Sequence, residues 1–199
     1  MPLLVRGPGR AKPAVTDDLV SGEDLAPTLI QAAGGKVPSE MTGNSFHGLL
    51  TGASDYRRRD YLYAARVHHG NGAFRETTKS DEFDLARCVR SDRWKLIYNC
   101  TPQMEYQPVD CMHDPGWLSL QAAHRAGRLS PEHEQTYFGK RPVLELYDLQ
   151  NDPNELKNLA GKPEHGDTQQ QLMVALQEKM ITDRDYLPTP LGEALPPKR

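Results

Sequence analysis

Apolar and polar positions along the chain fall into stretches with two different periods. Between Tyr61 and Leu149 the dominant period is two. Tyr61 to Val67 reads as a strand, and Leu85 to Arg90 with Trp94 to Asn99 reads as a hairpin turning at Ser91-Asp92-Arg93. In its second arm Trp94, Leu96 and Tyr98 alternate onto one face. In the last such run Val143, Glu145, Tyr147 and Leu149 share one face and Leu144, Leu146 and Asp148 the other, which fits a strand buried at least in part on both sides. Elsewhere the spacing is helical. Leu25, Leu29, Ile30 and Ala33 recur up to Gly34-Gly35, with Asp24 as the expected cap and Pro27 in the first turn, where proline is tolerated. Leu172, Leu176 and Met180 form the stripe of a last helix, about Thr168 to Ile181. A further helix around Trp117 to Ala126 is expected inside a long insertion, Thr101 to Arg141.

Punctuation between these runs is strong at one place, "ELYDLQNDPNELKNLA" (145–160). Asp152 can cap a helix, Pro153 suits the first helical position, and Glu155 three residues after the cap can close a capping box. Leu156, Leu159 and Ala160 would then share a face before Gly161 ends the turn. The remaining segments, Lys36 to Arg59, His68 to Asp84 and the Pro-rich tail Leu187 to Arg199, read as loops. Four strands near 61–67, 85–90, 94–99 and 143–149 followed by a helix describe a small α+β layer with an antiparallel sheet, and a subdomain boundary falls close to Asp60.

Composition narrows the partners. The 199 residues carry a formal net charge of −3, which gives no electrostatic reason to expect nucleic acid or an anionic membrane. No apolar run approaches the roughly 20 residues a membrane helix needs. Mean hydropathy is −0.68, with 16 Pro and 16 Gly, so loops are many. Three cysteines, Cys88, Cys100 and Cys111, are an odd number, leaving at least one unpaired within a monomer. Met1 to Arg6 is an apolar, β-prone run that meets Gly7-Pro8-Gly9 at once, as though it continued a longer structure.

Four stretches taken in order carry a resemblance: "DLVSGEDLAPTLIQAAG" (18–34), "MTGNSFHGLL" (41–50), "RCVRSDRWKLIYN" (87–99) and the corner at 145–160. Together they resemble the C-terminal part of a sulfatase of the alkaline-phosphatase-like superfamily. The insertion and the His68-His69 pair most resemble the heparan N-sulfatase (sulfamidase) branch. The resemblance implies that residues 1–60 are the tail of the large α/β catalytic domain. Residues 61–199 would then be the smaller C-terminal α+β domain, with a four-stranded antiparallel sheet, a packed C-terminal helix and a long insertion at about 101–141. It also implies a parent that is periplasmic or secreted, needs calcium and a formylglycine residue, and acts on a sulfated saccharide.

That chemistry can be checked against residues. A formylglycine nucleophile is made from Cys or Ser in a Cys-x-Pro/Ala-x-Arg context, and calcium is held by several Asp and Asn oxygens. In Cys100-Thr101-Pro102-Gln103-Met104 the proline is in place but Met104 stands where Arg is required; Cys88 and Cys111 lack even the proline. Cys100 therefore reads as a structural cysteine. Asp17-Asp18 imitates a metal pair, yet by the resemblance it lies downstream of all the metal ligands and reads as a solvated or capping pair. No catalytic residue, metal ligand or cofactor is expected from this chain, and hydrolysis by it alone is not expected. His68 and His69 are the candidate substrate contacts, since the matching loop of the family reaches the mouth of the cleft; an exposed loop pair is the plainer reading. Zinc held by the pair with Cys111 and His113 has no recognisable ligand spacing. Arg57-Arg58-Arg59 could meet a polyanionic sugar, though a solvated charge run is the usual meaning.

Two kinds of function stay open on the sequence. One is a sulfatase portion, with Cys-x-Pro-Ser-Arg and the calcium aspartates encoded upstream of Met1. The other is a non-catalytic module that binds sulfated saccharide or a partner sulfatase. A phosphodiester substrate is a weaker third. If residues 1–60 belong to a larger sheet, they leave an apolar surface open and self-association follows.

Overall fold

The computed structural model describes residues 3–7, 14–54, 56–67, 84–102, 111 and 113–187. The chain separates into two compact units, Met1–Leu62 and Tyr63–Arg199.

In the first unit a 3-10 turn, Gly22–Asp24, runs into α1 (Leu25–Ala32), and a short α2 (His47–Thr51) follows. The Lys36–Arg59 stretch is thus not all loop. Asp24 does not cap α1 with its side chain. Its carboxylate instead reaches back to accept the Ser21 N–H at 2.7 Å, and accepts the Asn44 N–H at 2.7 Å from a segment twenty residues on. Thr28 extends the tie: its hydroxyl donates to the Asp24 carbonyl at 2.6 Å and accepts the Phe46 N–H at 3.0 Å. Buried polar groups hold this unit because each has a partner. α1 ends in a Schellman turn, with Gly35 N–H donating to Ile30 O and Gly34 N–H to Gln31 O, which requires the positive φ of 77° at Gly34. The side chains that α1 buries are Pro27 and Thr28, whereas Leu25 and Leu29 are 41% and 68% exposed. The helix wears its leucines outward.

The second unit is built on a four-stranded sheet in the order β1 (Leu62–Arg66), β2 (Ala86–Arg90), β3 (Trp94–Asn99), β4 (Leu144–Asp148). β2 and β3 are antiparallel with Val89 opposite Leu96, and β3 and β4 are antiparallel with Leu96 opposite Leu146. These three side chains are wholly buried on one face, where Leu172, Ala175 and Leu176 of α5 (Gly166–Thr182) complete the core. Each such burial contributes about 1.5–3 kcal/mol. α5 also ends in a Schellman turn, with Arg184 at φ 55°, and the chain emerging from it presents Asp185 to the Arg87 guanidinium. The described residues of the insertion hold two helices, α3 (Pro115–Arg125) and α4 (Pro131–Phe138); the sequence reading expected only the first. α4 had a usable start signal: Ser130 caps it, its hydroxyl accepting the His133 N–H at 3.3 Å, and Pro131 follows at the first helical position.

At 150–160 the expected helix does not form. Asp152 accepts the Lys157 N–H at 2.8 Å, Glu155 stands at φ 56° in the left-handed region, and its carboxylate goes to Lys95 Nζ at 2.6 Å rather than closing a capping box. β4 ends the order of strands, and its outer edge has polar backbone groups to satisfy. Asn158 supplies the partners: its side-chain oxygen accepts the Leu146 N–H at 2.9 Å and its amide donates to Leu144 O at 3.0 Å, while Leu159 N–H donates to Leu146 O at 2.8 Å. The demands of the sheet edge outweigh the local helix signal. No helix among the described residues is long and apolar enough to cross a membrane.

Candidate functional site

The sheet face opposite α5 carries a concave surface. Alternation sends Cys88, Lys95, Ile97, Asn99, Glu145 and Tyr147 to it, and the segments 135–142 and 153–158 rise at its sides, enclosing a cleft of about 830 Å³. Glu145 is its centre. One carboxylate oxygen accepts the Asn99 side-chain N–H at 2.5 Å and the other accepts the Tyr147 hydroxyl. The second amide hydrogen of Asn99 goes to Pro142 O at 2.8 Å. Burial first, and then the neighbouring Glu145, push the Tyr147 phenol far up, so it remains a donor at any physiological pH. Burial likewise raises the Cys88 thiol to about 11. Among the described residues, the cations lining the cleft are held on carboxylates: Lys95 on Glu155, Arg87 on Asp185, Arg66 and Arg141 both on Asp84. Arg66 and Asp84, 3.1 Å apart, are the residues on either side of the 67–83 connection.

The sequence candidates fall in different places. His68 and His69 lie outside the described residues. Cys100 is buried at the end of β3, burial raises its thiol, and its Sγ donates to Tyr98 O at 3.7 Å, which is a structural role. Cys111 and His113 are exposed, and among the described residues no three His, Cys, Asp or Glu side chains stand together as a metal would need. The arginine run is corrected most. Arg59 donates to both oxygens of Asp24 at 2.6 Å, and that carboxylate is only 1% exposed. Arg58 pairs with Asp18 at 3.0 Å and bonds Asp17 O at 3.3 Å, so Asp18 is an ion-pair partner and not a solvated acid. Only Arg57, which donates to the Ser54 and Tyr56 carbonyls, rests on local backbone alone. The run is structural because its partners lie 35 and 41 residues away, beyond any local reading.

These facts bear on calcium. Asp18, Asp24, Asp84, Asp148 and Asp185 are each engaged by a guanidinium, whereas a calcium ion takes several unneutralised oxygens together. The described residues do not fit it.

Residues 1–126 match the family described as N-sulphoglucosamine sulphohydrolase, C-terminal. An ulvan-active sulfatase of Formosa agariphila is 32% identical over 167 residues, covering 82% of this chain and 26% of its own length. An N-acetylglucosamine-6-O-sulfatase of Bacteroides thetaiotaomicron is 27% identical over 188 residues, covering 93% of this chain and 26% of its own. A solved 2-O GAG sulfatase shares the fold with a TM-score of 0.58 at 22% identity, over 90% of this chain and 29% of that one. The chain thus spans 26% to 32% of the curated relatives of the same kind. With residues 1–126 matched and the four-stranded antiparallel sheet with its packed helix in place, the chain belongs to the N-sulphoglucosamine sulphohydrolase C-terminal family, a C-terminal sulfatase portion.

Proposed function

We propose that the chain serves a sulfatase that removes sulfate esters or N-sulfate groups from a sulfated glycan, and that these 199 residues alone do not hydrolyse it. The match over residues 1–126 carries the reading, supported by relatives that are an ulvan-active and an N-acetylglucosamine-6-O-sulfatase. Residues 1–60 are the tail of the α/β catalytic domain and 61–199 its small C-terminal domain. His68 and His69, directly after β1, hydrogen-bond the sulfated sugar. The formylglycine and calcium that the chemistry needs come from residues other than these: Met104 breaks the one Cys-x-Pro run, and Asp18, Asp24, Asp84, Asp148 and Asp185 are held by arginines.

A second reading, docking on a partner sulfatase, is favoured by α1. From Leu25 to Gly35 there is no charged residue, although 26% of the chain is charged, and the two leucines of that stretch face outward. In either case an apolar protein surface covers that helix.

The test is sulfate release by the purified chain from N-sulfoglucosamine and N-acetylglucosamine 6-sulfate with calcium present, together with calorimetry against heparin oligosaccharides. No release is expected, with binding that weakens in the His68→Ala/His69→Ala variant. Release above the blank removes the inactive reading, and flat titrations of folded protein remove the saccharide contact.

A further inference from the structure

We propose that the cleft on the open sheet face binds neutral, unsulfated sugar units. The inference rests on the sulfated-glycan reading for the identity of the polymer, and on the cleft itself for the chemistry.

Three observations carry it. A volume of about 830 Å³ lies within the usual range of small-molecule sites, and the cleft is built entirely within one compact unit. The neutral donors at its centre are spent. Both Asn99 amide hydrogens and the Tyr147 hydroxyl hydrogen are committed inside the protein. What remains at the centre is acceptor capacity: each Glu145 oxygen has accepted one hydrogen bond, which fixes the carboxylate and leaves a further lone pair, and the phenol oxygen of Tyr147 can also accept. Acceptors fixed in this way select a ligand rich in hydroxyl donors. The aromatic ring of Tyr137, part-exposed in the lining, suits the C–H face of a pyranose.

The same geometry disfavours sulfate. Among the described residues each cation lining the cleft already shares a carboxylate, which weakens its pull on an anion, and an anion placed on the floor would face Glu145. A sulfated glycan would therefore present its unsulfated units here, with its sulfate directed elsewhere.

The experiment is a heteronuclear NMR titration of the full 199-residue chain with the β1,4-linked N-acetylglucosamine trimer and with rhamnose, and with N-acetylglucosamine 6-sulfate as the charged comparison. Expected are saturating amide shifts confined to β2, β3, β4 and residues 135–142, from at least one neutral probe. Affinity for the 6-sulfate should be weaker by about tenfold, the size of one charged hydrogen bond lost. Ala64→Trp, at an exposed position of the lining on the same sheet face as Arg66, should block the shifts while the rest of the spectrum stays folded. Absence of shifts from both neutral probes overturns the proposal, as does tighter binding of the sulfated sugar at the same cleft amides or saturation unchanged in Ala64→Trp. A cleft covered by protein gives the first of these results. Sulfate release by the chain would overturn its inactivity and leave this proposal standing, so the two fail separately.

Discussion

Arg59→Met tests whether the first unit is held by its buried ion pair. The guanidinium sits on both oxygens of Asp24 at 2.6 Å, and the carboxylate also orders the Ser21 and Asn44 amides. Removing Arg59 leaves a carboxylate that is 1% exposed without a counter-charge, which costs about 3–5 kcal/mol when a buried pair is broken from one side. Asp24→Asn added to Arg59→Met should recover part of this, with a coupling of about 1–3 kcal/mol. Arg57→Met, two residues away, touches only local carbonyls and should stay within about 0.5 kcal/mol. Tryptophan fluorescence cannot read the change, since Trp94 and Trp117 both belong to the second unit. Hydrogen exchange can. In Arg59→Met the amides of Ser21, Asn44 and Phe46 should exchange faster by on the order of a hundredfold, the equivalent of about 3 kcal/mol of local opening, while β2 to β4 stay protected. Exchange at Ser21 and Asn44 within about twofold of the parent, like the Arg57 control, would refute the reasoning.

Legibility in the sequence followed the range of the forces involved. The hairpin at 86–99 and the strand 144–148 could be read because a period of two survives whatever packs on them, and Leu96 and Leu146 are buried where the alternation puts them. The α5 stripe was equally plain, with Leu172 and Leu176 buried four residues apart. The corner at 152–160 misled because its cap signals are genuine local preferences, and an unpaired strand edge outbid them through Asn158. Arg58 and Arg59 looked solvated because their partners are distant in sequence; a charged cluster next to a helix holding buried Asp24 was a signal only in hindsight of the fold. The cleft was invisible for a related reason. Its lining runs from Ala64 to Asn158, and only the pairing of β3 with β4 assembles Glu145, Asn99 and Tyr147 into one network.

Gly43→Ala should loosen the same amides as Arg59→Met, by about 1–3 kcal/mol, because a Cβ there would lie 2.1 Å from the Glu23 carbonyl oxygen; unchanged exchange at Asn44 would show that the loop gives way freely. Leu25→Gln with Leu29→Lys should alter stability by no more than about 0.5 kcal/mol, since both side chains are exposed, yet reduce self-association in sedimentation velocity; equal association in parent and variant removes α1 as the sticky face. In acid, Arg93 holds Asp148 down to about 2 from 3.8, so the unfolded chain takes up the proton first as pH falls below 4. The stabilisation is complete above that and lost toward pH 2; Arg93→Gln should flatten this limb in urea titrations, modestly, because the guanidinium is half exposed. In alkali the sign reverses. Burial keeps Cys88 protonated up to about 11 while an unfolded thiol ionises near 9, so the unfolded chain releases its proton first and stability falls between those values. Cys88→Ala removes that slope without touching a hydrogen bond assigned to the thiol, so a slope that persists unchanged would have to come from another group, and Tyr147, pushed up for the same reason, is the one beside it in the cleft. Thiol labelling at pH 8 separates the cases independently: exposed Cys111 should react fast, half-buried Cys88 more slowly because its thiol stays protonated, and buried Cys100 only at the rate the second unit opens.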